Sequence, residues 1–90
     1  MEVTMQIDGA IIREQGLTFA IVVVKRHVLD FSDRAAEAAA DFARYFRGMP
    51  IVLMAQDASG RATYYGRRDI VRFLSGISTS RIPWRRYTVS

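Results

Sequence analysis

The pattern of apolar and polar positions over the first 24 residues predicts a β-hairpin. Between residues 3 and 8, apolar side chains alternate with polar ones, which is the period of a strand with one solvent-exposed face. Gly9 then allows a bend or a bulge before the apolar run 10–12. A turn at 13–16 leads into residues 17–24, which are apolar on both faces. Such a strand is typical of a sheet interior that is covered on both sides, or of one that meets a partner chain.

The next stretch predicts an amphipathic helix. Asp30 and Ser32 are its N-cap candidates, and it runs to about Arg47, with alanine and phenylalanine at helical spacing. Gly48 followed by Pro50 ends it, which is the usual order of residues after a helix. The small alanine side chains let this helix lie close to a sheet.

A second hairpin and a second helix follow. Residues 51–55 form an apolar run of strand length, the turn 57–60 fits a four-residue hairpin loop, and residues 61–65 return as a strand. Gly66 interrupts this strand. Residues 67–75 then predict a shorter helix with one apolar face.

These elements predict a single α+β domain over residues 1–90, a length ordinary for one domain. The expected architecture is a two-layer sandwich in the order ββαββα. A four-stranded, antiparallel or mixed sheet carries two helices on one face. Residues 78–90 are either an arm or a fifth, edge strand, because Pro83 is unsuited to a central strand.

The order of strand, helix, hairpin and helix between Leu17 and Ser75 supports an alternative fold. In layout it resembles a thioredoxin-like βαββα core, with Pro50 just before a strand. The resemblance implies no redox activity, because the chain has no cysteine and therefore no Cys-x-x-Cys motif.

Composition narrows the class of protein. Half of the residues are hydrophobic and 24% are charged, as in an ordinary globular domain. The absence of cysteine excludes disulfides, thiolate metal sites and thiol catalysis. The apolar run 19–24 is far shorter than the roughly 20 residues that span a bilayer, and the first residues do not have the pattern of a signal peptide. We therefore expect a cytoplasmic protein with no membrane partner.

Charge is distributed unevenly along the chain. Residues 1–60 contain six basic and eight acidic side chains, whereas residues 61–90 contain seven arginines and one aspartate. Arginine suits planar recognition of phosphate and carboxylate, so the C-terminal third predicts an anion-binding surface. The alternative is a solvated basic edge that reflects a preference for arginine over lysine.

The start of the second helix is a candidate anion-binding site. A helix N-terminus exposes unpaired amides, and Gly66 allows a ligand to approach the backbone. Arg67 and Arg68 flank these amides, and Arg72 lies one turn further along. The alternative is that Gly66 only turns the chain, that Asp69 supplies the acid favoured at this position, and that the arginines are solvated.

A second candidate set combines arginines with aromatic side chains. This combination is used for single-stranded nucleic acid, for protein interfaces, and for an edge strand whose apolar side chains cover the core. The candidate nucleic-acid or partner-binding residues are Arg61, Tyr64, Tyr65, Trp84, Arg85, Arg86 and Tyr87.

Catalysis has little support in the sequence. His27 is the single histidine, and it has no identifiable nucleophile or substrate partner. Glu37 and Asp41 lie at i, i+4 on the first helix, where a solvated charged face explains them. We therefore assign no catalytic residue, no metal ligand and no cofactor.

The sequence leaves two main hypotheses for the function and a third that has less support. The first is a non-enzymatic binding module with a basic C-terminal surface for nucleic acid or another phosphate-bearing ligand, and it requires the arginines to converge on one exposed side. The second is a homodimeric protein-interaction domain that buries a sheet face left uncovered by the helices. The third is a small enzyme or small-molecule binder with a pocket near His27 or Gly66.

Overall fold

Five strands form one mixed sheet in a computed structural model of the protein, which describes residues 4–89. The strands are β1 (Met5–Glu14), β2 (Leu17–Val23), β3 (Ile51–Gln56), β4 (Ala62–Tyr65) and β5 (Arg85–Val89). Their order across the sheet is β4-β3-β2-β1-β5. β2 and β3 are parallel, and the other neighbouring strands are antiparallel.

Two α-helices accompany the sheet. Helix α1 (Ser32–Ala43) connects β2 to β3, because parallel neighbours need a crossover connection. Helix α2 (Arg68–Ser75) follows β4, and 3-10 helices at Arg26–Leu29 and Thr79–Arg81 precede α1 and β5. Among residues 4–89 no helix has the length and apolar character needed to cross a membrane.

The sheet has an apolar cluster on each face. Side chains alternate along β2, so its successive buried residues join different clusters. The cluster under α2 contains Ala10, Phe19, Ile21, Val52, Met54, Ile70, Leu74 and Ile82. The cluster under α1 contains Ile7, Ala20, Val22, Ala35, Phe46 and Leu53. The helices therefore lie on opposite faces of the sheet.

This arrangement corrects the expected architecture. The prediction of an α+β domain with a mixed sheet is confirmed, but the prediction of two layers with both helices on one face is wrong. The reason is β2, whose residues 19–22 are all buried and need cover on both sides. The uncovered sheet face that motivated a homodimer is also absent from the part of the chain that is described, because each face carries a helix.

The C-terminal tail supplies the fifth strand. β5 pairs with β1 in antiparallel register, with Tyr87 opposite Ile7, so of the two alternatives for the tail, an arm or a fifth edge strand, the structure has the edge strand. Most predicted boundaries of the helices and strands agree with those of the structure to within one or two residues. α1 is the exception, because it ends at Ala43 and turns replace the helix predicted to reach Arg47. The thioredoxin-like alternative stays a prediction.

Gly9 occupies the position where β1 changes neighbours. The ladder with β5 covers Met5–Gly9, and the ladder with β2 begins at Gly9 and continues to Glu14, without a break in register. A Cβ atom at Gly9 would overlap the carbonyl oxygen of Ile21 on β2. Close approach of the two backbones therefore explains this glycine, and of the bend or bulge that the sequence allows here, the bulge does not occur.

We predict that Gly9→Ala destabilises the fold by about 2 kcal/mol or more, because the new methyl group forces β1 away from β2. Urea unfolding followed by circular dichroism measures the change. Gly76→Ala is the matched control. The nearest atom to a Cβ there is the carbonyl oxygen of Phe73 at an ordinary 3.5 Å, so we expect a change below about 1 kcal/mol. Equal changes in the two variants would contradict the packing argument.

Candidate functional site

Gly66 is packed against β3. A Cβ atom on this residue would lie 3.0 Å from Cγ2 of Val52 and 3.2 Å from the carbonyl oxygen of Ile51. Both contacts are tighter than ordinary van der Waals packing. The close approach of the chain to β3 therefore explains this glycine without a ligand.

The arginines around the start of α2 differ in their surroundings. Arg67 is the N-cap residue, and its guanidinium donates to Asp69 through Nη2 at 2.8 Å and Nε at 3.2 Å. This hydrogen bonding lowers the pKa of Asp69. Arg68 and Arg72 are exposed, and neither has an acidic partner within 4.0 Å among residues 4–89. They lie at i, i+4, so they share one side of the helix.

Tyr64 and Tyr65 belong to opposite faces of the sheet. Tyr64 lies opposite Met54 and packs on the cluster under α2, whereas Tyr65 lies opposite Leu53 and packs on the cluster under α1. The hydroxyl of Tyr64 is buried with no hydrogen-bond partner in the described part of the chain, and burial raises its pKa. The two tyrosines therefore do not form one ligand-binding surface.

Arg61 follows the hairpin loop 57–60, and its backbone N–H helps to stabilise this loop. Its N–H donates to Oδ1 of Asp57 at 2.9 Å, and the hydroxyl of Ser59 donates to the same oxygen at 2.6 Å. These bonds lower the pKa of Asp57. Gly60 has a φ of 85°, as the predicted four-residue loop requires. Arg61 is exposed beside β4, at one edge of the sheet.

The aromatic side chains of the tail have structural partners. Trp84 is half-buried on the cluster under α2, and its Nε1 donates to the carbonyl oxygen of Thr79 at 2.9 Å. Tyr87 meets Phe46 edge to face, with ring centroids 5.6 Å apart. Tyr87 therefore packs against the cluster under α1.

The candidate residues divide between the two edges of the sheet. Arg61, Tyr64 and Tyr65 accompany β4, whereas the tail residues 84–87 accompany β5. Three strands separate β4 from β5, which corresponds to about 19 Å at the usual interstrand spacing. This second candidate set therefore does not converge on one point.

The structure does bring three tail residues together in one open groove of about 490 Å³. We call it the Trp84 groove. Its lining residues are Asp8, Val23, Met54, Gln56, Trp84, Arg85 and Arg86. The first four were not candidates in the sequence, and no local motif marks them. Asp8 is close to Arg86 only because β1 and β5 pair in this register.

A cross-strand ion pair lies in this groove. Nε of Arg86 donates to Oδ1 of Asp8 at 2.9 Å, and this bond raises the pKa of Arg86. The two side chains remain 64% and 54% exposed, so both can still reach a ligand.

The segment around α1 and the segment from α2 to β5 differ in charge. Residues 32–47, which form α1 and the turns after it, contain three acidic side chains and three arginines. Residues 67–89, from α2 to β5, contain six arginines and one aspartate. The positive charge of the chain is therefore concentrated on the elements around α2 and the tail.

The residues with catalytic potential remain scattered. His27 is exposed in the first 3-10 helix, and Glu37 and Asp41 are exposed on α1. Within residues 4–89, no three His, Cys, Asp or Glu side chains are grouped closely enough to hold a metal ion.

No protein-family model, curated protein sequence or solved structure matches the chain.

We predict that Tyr64→Phe leaves the fold intact and raises the free energy of unfolding by about 1 kcal/mol, because it removes a buried hydroxyl that has no partner. Burial raises the pKa of this tyrosine above the usual 10.0, so the unfolded chain loses the proton first. The contribution of Tyr64 to stability should then decline as the pH rises above about 10. Urea unfolding at neutral and alkaline pH measures both effects. Tyr65→Phe is the matched control, and a loss of stability in Tyr64→Phe would show that the hydroxyl has a partner.

Proposed function

We propose that this protein is a non-enzymatic module that binds single-stranded nucleic acid on the α2 side of its sheet. The observation that carries the proposal is that uncompensated arginines and the Trp84 groove lie on the same side of the sheet. Arginines attract the phosphates of such a strand, and an aromatic ring stacks on its bases. A cytoplasmic location, expected from the sequence, is part of this proposal.

The first support for the proposal is a group of exposed arginines that have no acidic partner in the described chain. Arg68, Arg72 and Arg81 are exposed on α2 and on the 3-10 helix after it, and none has an acidic partner within 4.0 Å in the described chain. Both elements belong to the segment that covers the cluster under α2. Neutralising such arginines with phosphates releases counterions, which favours binding at low salt.

The fixed position of Trp84 is the second support. Its indole is held by the bond to Thr79 and by contact with the core, so little conformational freedom remains to be lost on binding. Stacking a base on an aromatic ring contributes about 1–3 kcal/mol. The other aromatic candidates contribute to the fold instead, since Tyr64, Tyr65 and Tyr87 pack against the two apolar clusters.

A single strand suits this surface better than a duplex. Reading a duplex requires an element that enters a groove of the double helix. α2 is only eight residues long, and its Ile70 and Leu74 are buried in the cluster that it shares with the sheet. The Trp84 groove is large enough for one unstacked base, which only a single strand presents.

We predict that labelled single-stranded oligonucleotides bind in fluorescence anisotropy titrations at about 50 mM salt and bind far more weakly at 200 mM. Arg68→Ala/Arg72→Ala should reduce the affinity and make the plot of log affinity against log salt shallower by about 1.4, because each phosphate contact contributes about 0.7 on a single strand. Double-stranded oligonucleotides should bind more weakly than single strands.

The matched control is Arg34→Ala/Arg44→Ala, which removes the same charge from the α1 side. We expect it to leave the salt dependence almost unchanged. Absence of binding at low salt, or equal losses in the two double variants, would contradict the proposal.

A homodimeric protein-interaction domain is the second candidate function. The observation that favours it is the position of β5 at the edge of the sheet, where a strand can pair with a second copy. Analytical ultracentrifugation distinguishes the two candidates. A dimer that forms at micromolar concentration and does not bind oligonucleotides would favour the interaction domain.

A further inference from the structure

The ion pair in the Trp84 groove leaves hydrogen-bonding groups free. Arg86 uses only Nε and Asp8 uses only Oδ1 in their contact. The two terminal amino groups of Arg86 and Oδ2 of Asp8 make no hydrogen bond with another residue of the range 4–89. Since both side chains are more than half exposed, a charged donor and a charged acceptor are available side by side.

The rest of the groove is suited to a flat, apolar ring. Val23 and Met54 supply apolar side chains, and Trp84 supplies an aromatic one. Gln56 also lines the groove, and its amide donates through Nε2 to the carbonyl oxygen of Gly60 at 3.2 Å. A planar heterocycle with a polar edge fits such a combination of apolar walls and a few placed polar groups.

We propose that the Trp84 groove binds one unstacked guanine base; this inference rests on the proposed binding of single-stranded nucleic acid. The base stacks beside Trp84 and directs its Watson–Crick edge toward the Asp8–Arg86 pair. The carboxylate of Asp8 accepts from the neighbouring N1–H and N2–H groups, and the guanidinium of Arg86 donates to O6.

The arrangement of charges selects guanine over the other bases. Guanine has two adjacent N–H donors on this edge, which match a carboxylate, and one strong acceptor, which matches a guanidinium. Adenine and cytosine place a ring-nitrogen acceptor where guanine has N1–H, and that lone pair repels the carboxylate. Thymine has a single donor, so it leaves part of the carboxylate without a partner.

Fluorescence anisotropy with nine-nucleotide strands tests the inference. The strands contain thymidine at every position except the centre, which is guanosine, inosine, adenosine or thymidine. The guanosine strand should bind at least tenfold more tightly than the all-thymidine strand. The inosine strand should have intermediate affinity, because inosine retains N1–H and O6 but has no 2-amino group.

Asp8→Asn should reduce the preference for guanosine at least fivefold while affinity for the all-thymidine strand changes little. Asp69→Asn is the matched control, because the same substitution breaks the exposed Arg67–Asp69 pair outside the groove. It should leave the preference unchanged. Circular dichroism melting checks that both variants fold. The comparison of the guanosine strand with the inosine strand uses the unmodified protein, so it tests the inference even if a variant does not fold.

The results separate the two proposals. Salt-sensitive binding with equal affinity for all four strands would overturn the guanine site and leave the nucleic-acid module standing. Absence of binding to any strand would overturn both. A guanosine preference that Asp69→Asn reduces as much as Asp8→Asn would also overturn the assignment of the groove.

Discussion

Strand β2 is buried on both faces, and this burial sets the path of the chain around the sheet. Residues 19–22 are all buried, and alternate side chains enter opposite apolar clusters. Each face therefore needs its own cover. α1 covers one face as the crossover to the parallel strand β3, and α2 covers the other after the hairpin of β3 and β4. The segment after α2 then runs along the α2 side, where Ile82 and Trp84 join the cluster.

The candidate site is a consequence of this path. The chain reaches the far edge of the sheet as β5, and its register with β1 places Arg86 opposite Asp8. Gly9 is the residue at which β1 passes from one neighbour to the other, so the groove lies next to the end of the β1–β2 ladder. The side chains that line the groove therefore come from β1, β2, β3 and β5, and its aromatic ring comes from Trp84, just before β5. None of these segments forms the site alone.

Much of the local structure follows from the sequence alone. The loop 57–60 forms the predicted hairpin, whereas Gly48 and Pro50 lie in the turns and coil between the end of α1 at Ala43 and β3. The prediction that α1 reaches Arg47 fails because residues 44–47 turn back, which places Phe46 in the core beside Tyr87. That contact joins residues far apart in sequence, so helical periodicity could not reveal it.

The helices and strands of the fold, the two-sided burial of β2 and the excess of arginine after residue 60 can be predicted from the order of residues, because they depend on side-chain identity and spacing over a few positions. The face that each helix covers, the pairing of the tail as β5, and the location of Arg61 and Arg86 at opposite edges of the sheet cannot be predicted in this way. Strand register and packing depend on contacts between segments that are distant in the chain. Asp8 and Arg86 are 78 positions apart, and they become partners only when β1 and β5 pair.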